Sequence, residues 1–158
     1  MPQYWLKPFG TAEPPRRVEP NWTVGADLDN LLIITGPATA KKPPQMGGGD
    51  KILFHAVGHV RLYAAGELTG SPRYDPKFSE WGDRFPWIYP VRVDVWVPNV
   101  LDGPRTTDVA PKRAMGHLQT GGPYAALTRE QYEALVQELL RVPTVRRRGN
   151  GKHPPASV

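Results

Sequence analysis

The sequence predicts an α+β fold: one domain built on a small, barrel-like sheet of five or six short strands, with two or three short helices. Three observations carry this. Nineteen prolines and sixteen glycines among 158 residues cut the chain into short elements. Apolar runs bounded by Gly, Pro and Asp read as strands, with none of the long intervening helices that a parallel βαβ pattern needs. One segment alone, after Thr128, keeps a helical period for several turns.

Taken in order, residues 4–6 can form a short strand, and residues 8–26 are Pro-rich and irregular. Leu31–Thr35 (LLIIT) reads as a short buried strand ended by Gly36-Pro37, and residues 40–50 as a loop. Residues 51–57 and 61–68 read as a strand pair turning at Gly58-His59, with apolar runs that imply burial. Residues 71–83 are loop. Residues 88–97 alternate, with Val91, Val93, Val95 and Val97 set against Arg92, Asp94 and Trp96, so one face is wet. Trp96 is expected to pack against the C-terminal helix. A short helix over 108–118 is interrupted near Pro111. The last helix opens at Thr128, where Gln131 completes a capping box. Tyr132, Leu135, Val136, Leu139 and Leu140 form its apolar stripe, and it stops near Val142-Pro143.

Charge is unevenly spread. The net charge is +5, and residues 141–158 hold five basic residues (Arg141, Arg146, Arg147, Arg148, Lys152) and no acidic one. Residues 1–140 carry 15 basic and 15 acidic residues and are formally neutral. A Pro-, Gly- and Arg-rich end of this kind suits a basic arm that attracts phosphate without reading sequence, or a disordered solubilising tail.

Several chemistries are excluded by omission. There is no cysteine, hence no disulfide, thiolate metal site or cysteine nucleophile. No P-loop or GxGxxG is present. His55, His59, His117 and His153 lack zinc-ligand spacing, and His55, on a buried strand, reads as a core or pocket hydrogen-bonder. Asp27/Asp29 and Asp75/Glu80 lie in polar loops as solvated carboxylates. Ser71, Ser79 and Ser157 occupy no nucleophile elbow. No metal or cofactor is expected. The opening MPQYWLKPFG lacks the regions of a signal peptide and no apolar run spans a bilayer, which predicts a cytoplasmic protein without membrane contact.

What remains is aromatic. Trp81 and Trp87 flank Gly82-Asp83-Arg84-Phe85-Pro86 in the loop before the alternating strand, and Trp22 lies in a Pro-rich loop. Loop aromatics either cover their own core or form a platform for a flat ligand, of which a nucleic-acid base is the commonest. Arg84 offers a guanidinium for stacking or a phosphate contact.

The residues also resemble a family. Residues 49–55 (GDKILFH) resemble the GD-[RK]-hydrophobic strand of EVE domains. Residues 64–69 (AAGELT), with Ser71-Pro72 and Tyr74-Asp75-Pro76, resemble the next strand and its exit loop. Residues 89–97 (YPVRVDVWV) resemble the strand after it, and 123–140 the closing element and last helix. The likeness covers residues 49–140 in order. It implies a PUA-like fold, kin to YTH and ASCH domains: a curved mixed β-barrel flanked by short helices, with a pocket for a modified base flipped between aromatics. The family's first strand has two candidates here, residues 4–8 and residues 32–37. The second keeps a hydroxyl before its turn and is preferred, leaving 1–26 as an added arm, 27–142 as the domain and 143–158 as a basic disordered tail.

The expectation is a non-catalytic module recognising a methylated or hydroxymethylated base in DNA or RNA, working beside a separate nuclease or other effector. Trp22, Thr35, Trp81, Phe85 and Trp87 are the base-binding candidates; Arg84, Arg146, Arg147 and Arg148 are the candidates for the nucleic-acid backbone. The alternatives are an ASCH-like enzyme hydrolysing a modified nucleoside, which would need Lys51 and Glu67 to converge, and a module gripping a peptide.

Overall fold

The computed structural model describes residues 1–9, 28–29, 31–36, 43–80, 82–120 and 122–148. Its strands are β1 (Tyr4–Phe9), β2 (Leu31–Thr35), β3 (Lys51–Ala56), β4 (Arg61–Leu68), β5 (Arg73–Tyr74), β6 (Trp87–Trp96), β7 (Ala125–Leu127) and β8 (Arg146–Arg147). A 3-10 turn (Val100–Asp102) leads to the helices α1 (Thr106–Val109), α2 (Lys112–Gln119) and α3 (Arg129–Leu140). The break at Ala110-Pro111 falls where the proline was expected to interrupt the helix. The α3 capping box forms, with Thr128 Oγ1 accepting from Gln131 N (3.0 Å) and Gln131 Oε1 from Thr128 N (2.9 Å). Among the described residues no helix is long and apolar enough to cross a membrane.

All eight strands join one mixed sheet, ordered β2-β6-β4-β3-β1-β7, with β5 and β8 also on β6; it curls into a half-barrel. β1 and β3 run parallel and the other pairs are antiparallel. β3 buries both faces. Ile52 and Phe54 join Trp5, Ile33, Tyr63, Tyr89, Val91 and Val93 on one side. Leu53 joins Leu6, Leu62 and the helix residues Ala114, Met115, Leu135 and Leu139 on the other. That is why its sequence is an apolar run and not an alternation.

Three expectations need correction. Residues 4–9 are no added arm: β1 lies between β3 and β7. Its alternation of Trp5 and Phe9 against Leu6 feeds both cores, but six residues beside a Pro-rich stretch give a weak signal. Residues 143–148 are no disordered tail: Arg146 and Arg147 pair with Trp96 and Val95 of β6. Trp96 does not pack on the last helix, because the register slips where Ala65 faces Val95 and Gly66 faces Val93. That bulge leaves Asp94 unmatched. Val95 then turns toward the helices and Trp96 joins the opposite core. Gly66 permits the bulge, since a Cβ there would stand 2.2 Å from the Arg92 carbonyl oxygen.

The Gly49-Asp50 pair has a structural cause. Gly49 sits at φ +90°, and Asp50 behind it is buried. The Asp50 carboxylate accepts from Gln3 N, Trp5 Nε1 and Gly47 N, each at 2.9 Å. One side chain thus ties β1 and the preceding loop to the start of β3. Asp50→Ala leaves three donors without an acceptor and should cost about 3 kcal/mol or more of unfolding free energy, read by urea denaturation. A loss near or below about 1 kcal/mol would mean that water replaces the carboxylate.

Candidate functional site

The interior-facing row of β6 runs Val93, Val91, Tyr89, Trp87. The first three belong to the core cluster; Trp87, though 6% exposed, belongs to neither cluster and lies at the rim. Its register partner across β2 is Thr35, fully buried, whose Oγ1 donates to the Gly36 carbonyl (3.1 Å). On the other edge β5 sets Tyr74 opposite Trp87, with rings 5.2 Å apart and 64° inclined. The Trp87 indole N–H is buried and has no hydrogen-bond partner among the described residues. Since nearly all buried donors are satisfied, an orphan of this kind asks for an explanation.

The loop above the rim is built from turns. Phe78 N donates to Asp75 O (3.1 Å), Gly82 N to Ser79 O (3.2 Å) and Asp75 N to Pro86 O (2.8 Å). Tyr74 and Phe78 stay exposed by 45% and 44%. The Arg73 guanidinium lies 5.6 Å from the Phe78 ring centre, and that of Arg84 lies 5.5 Å from the Phe85 ring. The structure therefore gathers Thr35, Trp87 and half-buried Phe85 with Arg84 in one loop-and-rim region. It adds Tyr74 and Phe78, which the sequence reading passed over. Trp22 and Trp81 lie outside the described residues.

The C-terminal arginines lie elsewhere. β8 pairs at the far end of β6 from Trp87, about 30 Å away for nine residues of extended chain. Arg147 is exposed, while Arg146 donates to the Thr144 carbonyl (2.7 Å). Arg148 is not offered to phosphate. Its side chain, 11% exposed, pairs with Asp29 and Asp94 and donates to Val93 O (2.9 Å). It closes a ladder of alternating sign across β3, β4 and β6. Lys51 meets Glu67 (2.6 Å), Glu67 meets Arg92 (3.7 Å), and Arg92 meets Asp94 (2.8 Å). Lys51 and Glu67 do converge, as the enzyme alternative requires, but as cross-strand partners that neutralise each other.

Two further groups have shifted acidity. Burial lowers the His55 imidazole to about 4, so it stays neutral, and its Nδ1 shares a proton with Thr106 Oγ1 at 2.7 Å. Burial likewise lowers Lys7 to about 7. Its Nζ donates to the Pro8 carbonyl (2.7 Å) and lies 4.7 Å from the Phe9 ring centre. Unfolded, this lysine keeps its proton to about 10.5; folded, it sheds it near 7. Between those values the unfolded chain binds more protons, so stability rises with pH. The slope should approach about 1.4 kcal/mol per pH unit, measured below about pH 9.5, under the range where unfolded tyrosines ionise. Lys7→Met should abolish it; an unchanged slope would show that Lys7 is charged in the folded state.

No protein-family model matches this chain, and no curated protein does. Among solved structures it is similar to the NMR structure of Rpa0253 from Rhodopseudomonas palustris, at 15% identity and a TM-score of 0.49, over 86% of this chain and 92% of that one. A likeness at that level carries no inference about what either protein binds or does.

Proposed function

We propose that this chain is a cytoplasmic, non-catalytic nucleic-acid-binding module of PUA-like type that takes a modified base, flipped out of DNA or RNA, at the Thr35–Trp87 rim. The indole N–H of Trp87, buried and without an acceptor among the described residues, carries the reading. A buried donor without an acceptor is costly, and a base edge or a hydroxymethyl oxygen supplies what is missing. Tyr74 and Phe78 offer exposed faces for stacking; Arg73 beside Phe78 and Arg84 beside Phe85 supply guanidinium groups for a phosphate. The curled mixed sheet is compatible with the barrel that the EVE resemblance implies. Trp22 and Trp81 are expected to complete the walls, and a separate nuclease or other effector to act on what is bound.

Trp87→Phe tests the donor because it keeps a ring and removes the N–H. Binding to oligonucleotides carrying modified bases should fall roughly tenfold for bases that present an acceptor. Unfolding stability should stay within about 1.5 kcal/mol of the parent. Tyr74→Ala should cost about 1–3 kcal/mol of binding to every base, modified or not. Unchanged affinity in both folded variants would sink the proposal.

Phosphate attraction falls to Arg147 and Arg84. Arg147→Ala should weaken binding uniformly across sequences and reduce the salt slope by about one. A change in preference between modified and plain bases would assign Arg147 a reading role instead.

The contact between Lys51 and Glu67 favours one second reading, an ASCH-like hydrolase of a modified nucleoside. Under the binding reading, purified protein turns over no modified nucleoside. Product that disappears in both Lys51→Ala and Glu67→Ala would replace that reading with the enzyme.

A further inference from the structure

A separate cleft of about 560 Å³ opens between α2, β7 and the first turn of α3. Four spacings of the sheet, about 20 Å along its curve, separate β7 from β6 and the Trp87 rim. Its floor is apolar, with two small side chains, Ala114 and Ala125, next to Leu127 and Trp5. The volume suits a ligand much larger than a simple ion.

Its polar lining has one sign. Arg113 and His117, four residues apart, stand on the α2 wall, and no carboxylate among the described residues lines the cleft. Arg113 makes no ion pair among the described residues. Other groups here are already engaged. The Trp5 N–H goes to Asp50, and Thr128 and Gln131 cap each other. An anion is therefore assigned to the α2 side chains and not to the start of α3. Tyr124 is different. It is 9% exposed, its ring stands edge-on to Trp5 (5.1 Å), and its oxygen accepts from Gln45 N (2.9 Å). Its hydroxyl proton has no acceptor among the described residues. The side-chain amide nitrogen of Gln131 also keeps two donors, since only its oxygen is used in the cap.

We infer that this cleft binds a phosphorylated nucleoside, with the phosphate on Arg113 and His117, the ring on the alanine floor, and the ring edge read by Tyr124 and Gln131. The guanidinium fork suits a phosphate. A flat ring carrying acceptors fits a small-residue floor walled by a phenol and an amide. A free mononucleotide and the phosphorylated end of a strand share this chemistry.

The test titrates the full chain with AMP, adenosine, inorganic phosphate, and one oligonucleotide with and without a terminal phosphate, read by calorimetry and amide shifts at Gln45, Ala125 and Ala126. AMP or the phosphorylated oligonucleotide should saturate, each more tightly than adenosine or phosphate alone; which of the two binds better identifies the source. Arg113→Ala should weaken that binding roughly tenfold or more. Ala126→Phe, at an exposed position lining the cleft, should block it by filling the space. Trp87→Phe should leave it unchanged, so this site stands or falls apart from the rim. No saturation by any probe, equal affinity for phosphate and AMP, or binding indifferent to both Arg113→Ala and Ala126→Phe would overturn the inference.

Discussion

One ten-residue strand serves four others. β6 pairs with β2 along the first half of one edge and with β8 along the second; on its other edge it pairs with β4 and, at its start, β5. Such sharing requires a strand that faces two cores in turn, and the bulge at Asp94 provides the switch. The proposed rim is placed by that strand. Its first residue, Trp87, is left at the rim because the core ends at Tyr89. Its far end anchors Arg148 through the Val93 and Asp94 carbonyls.

This arrangement changes the meaning of the basic C-terminus. Read linearly, five positive residues look like an arm available to phosphate. In three dimensions Arg141 is paired with Glu138 on α3, and Arg148 terminates a ladder that consumes Glu67, Asp94 and Asp29. Partly buried ion pairs of this kind hold segments in register more than they add stability. The excess charge is thus smaller at the surface than composition implies, and a lone exposed arginine such as Arg147 matters more than the total.

Local signals were the legible ones. Capping at Thr128, the break at Pro111, the turn after Val57 and the paired apolar runs of β3 and β4 are each decided by neighbours in the chain, and each appears where the residues put it. Partners far apart in sequence left no local trace. Asp50 and Trp5 are 45 residues apart, and nothing in either segment announces their hydrogen bond. Strands of two or three residues, β5, β7 and β8, are too short for any period to show, and they exist because a longer neighbour offers an open edge. At the proposed rim, Thr35 and Trp87 stand out by residue type, whereas Tyr74 and Phe78 read as ordinary loop residues. Lys7 was hidden by its own chemistry, since a lysine is expected in water and only the folded sheet removes it.

The first strand has a consequence for synthesis. β1 leaves the ribosome earliest, yet its two neighbours are β3 and β7, and about 70 residues separate the end of one from the end of the other. At common translation speeds that interval lasts on the order of 4–14 s. Throughout it, a nascent chain can hold β1 against β3 while the opposite edge of Tyr4–Leu6 stays open. An unpaired edge rich in large apolar side chains is a template for a neighbouring chain on a crowded polysome. A stop codon before residue 125 would make that transient edge permanent, so products truncated there should be prone to aggregate.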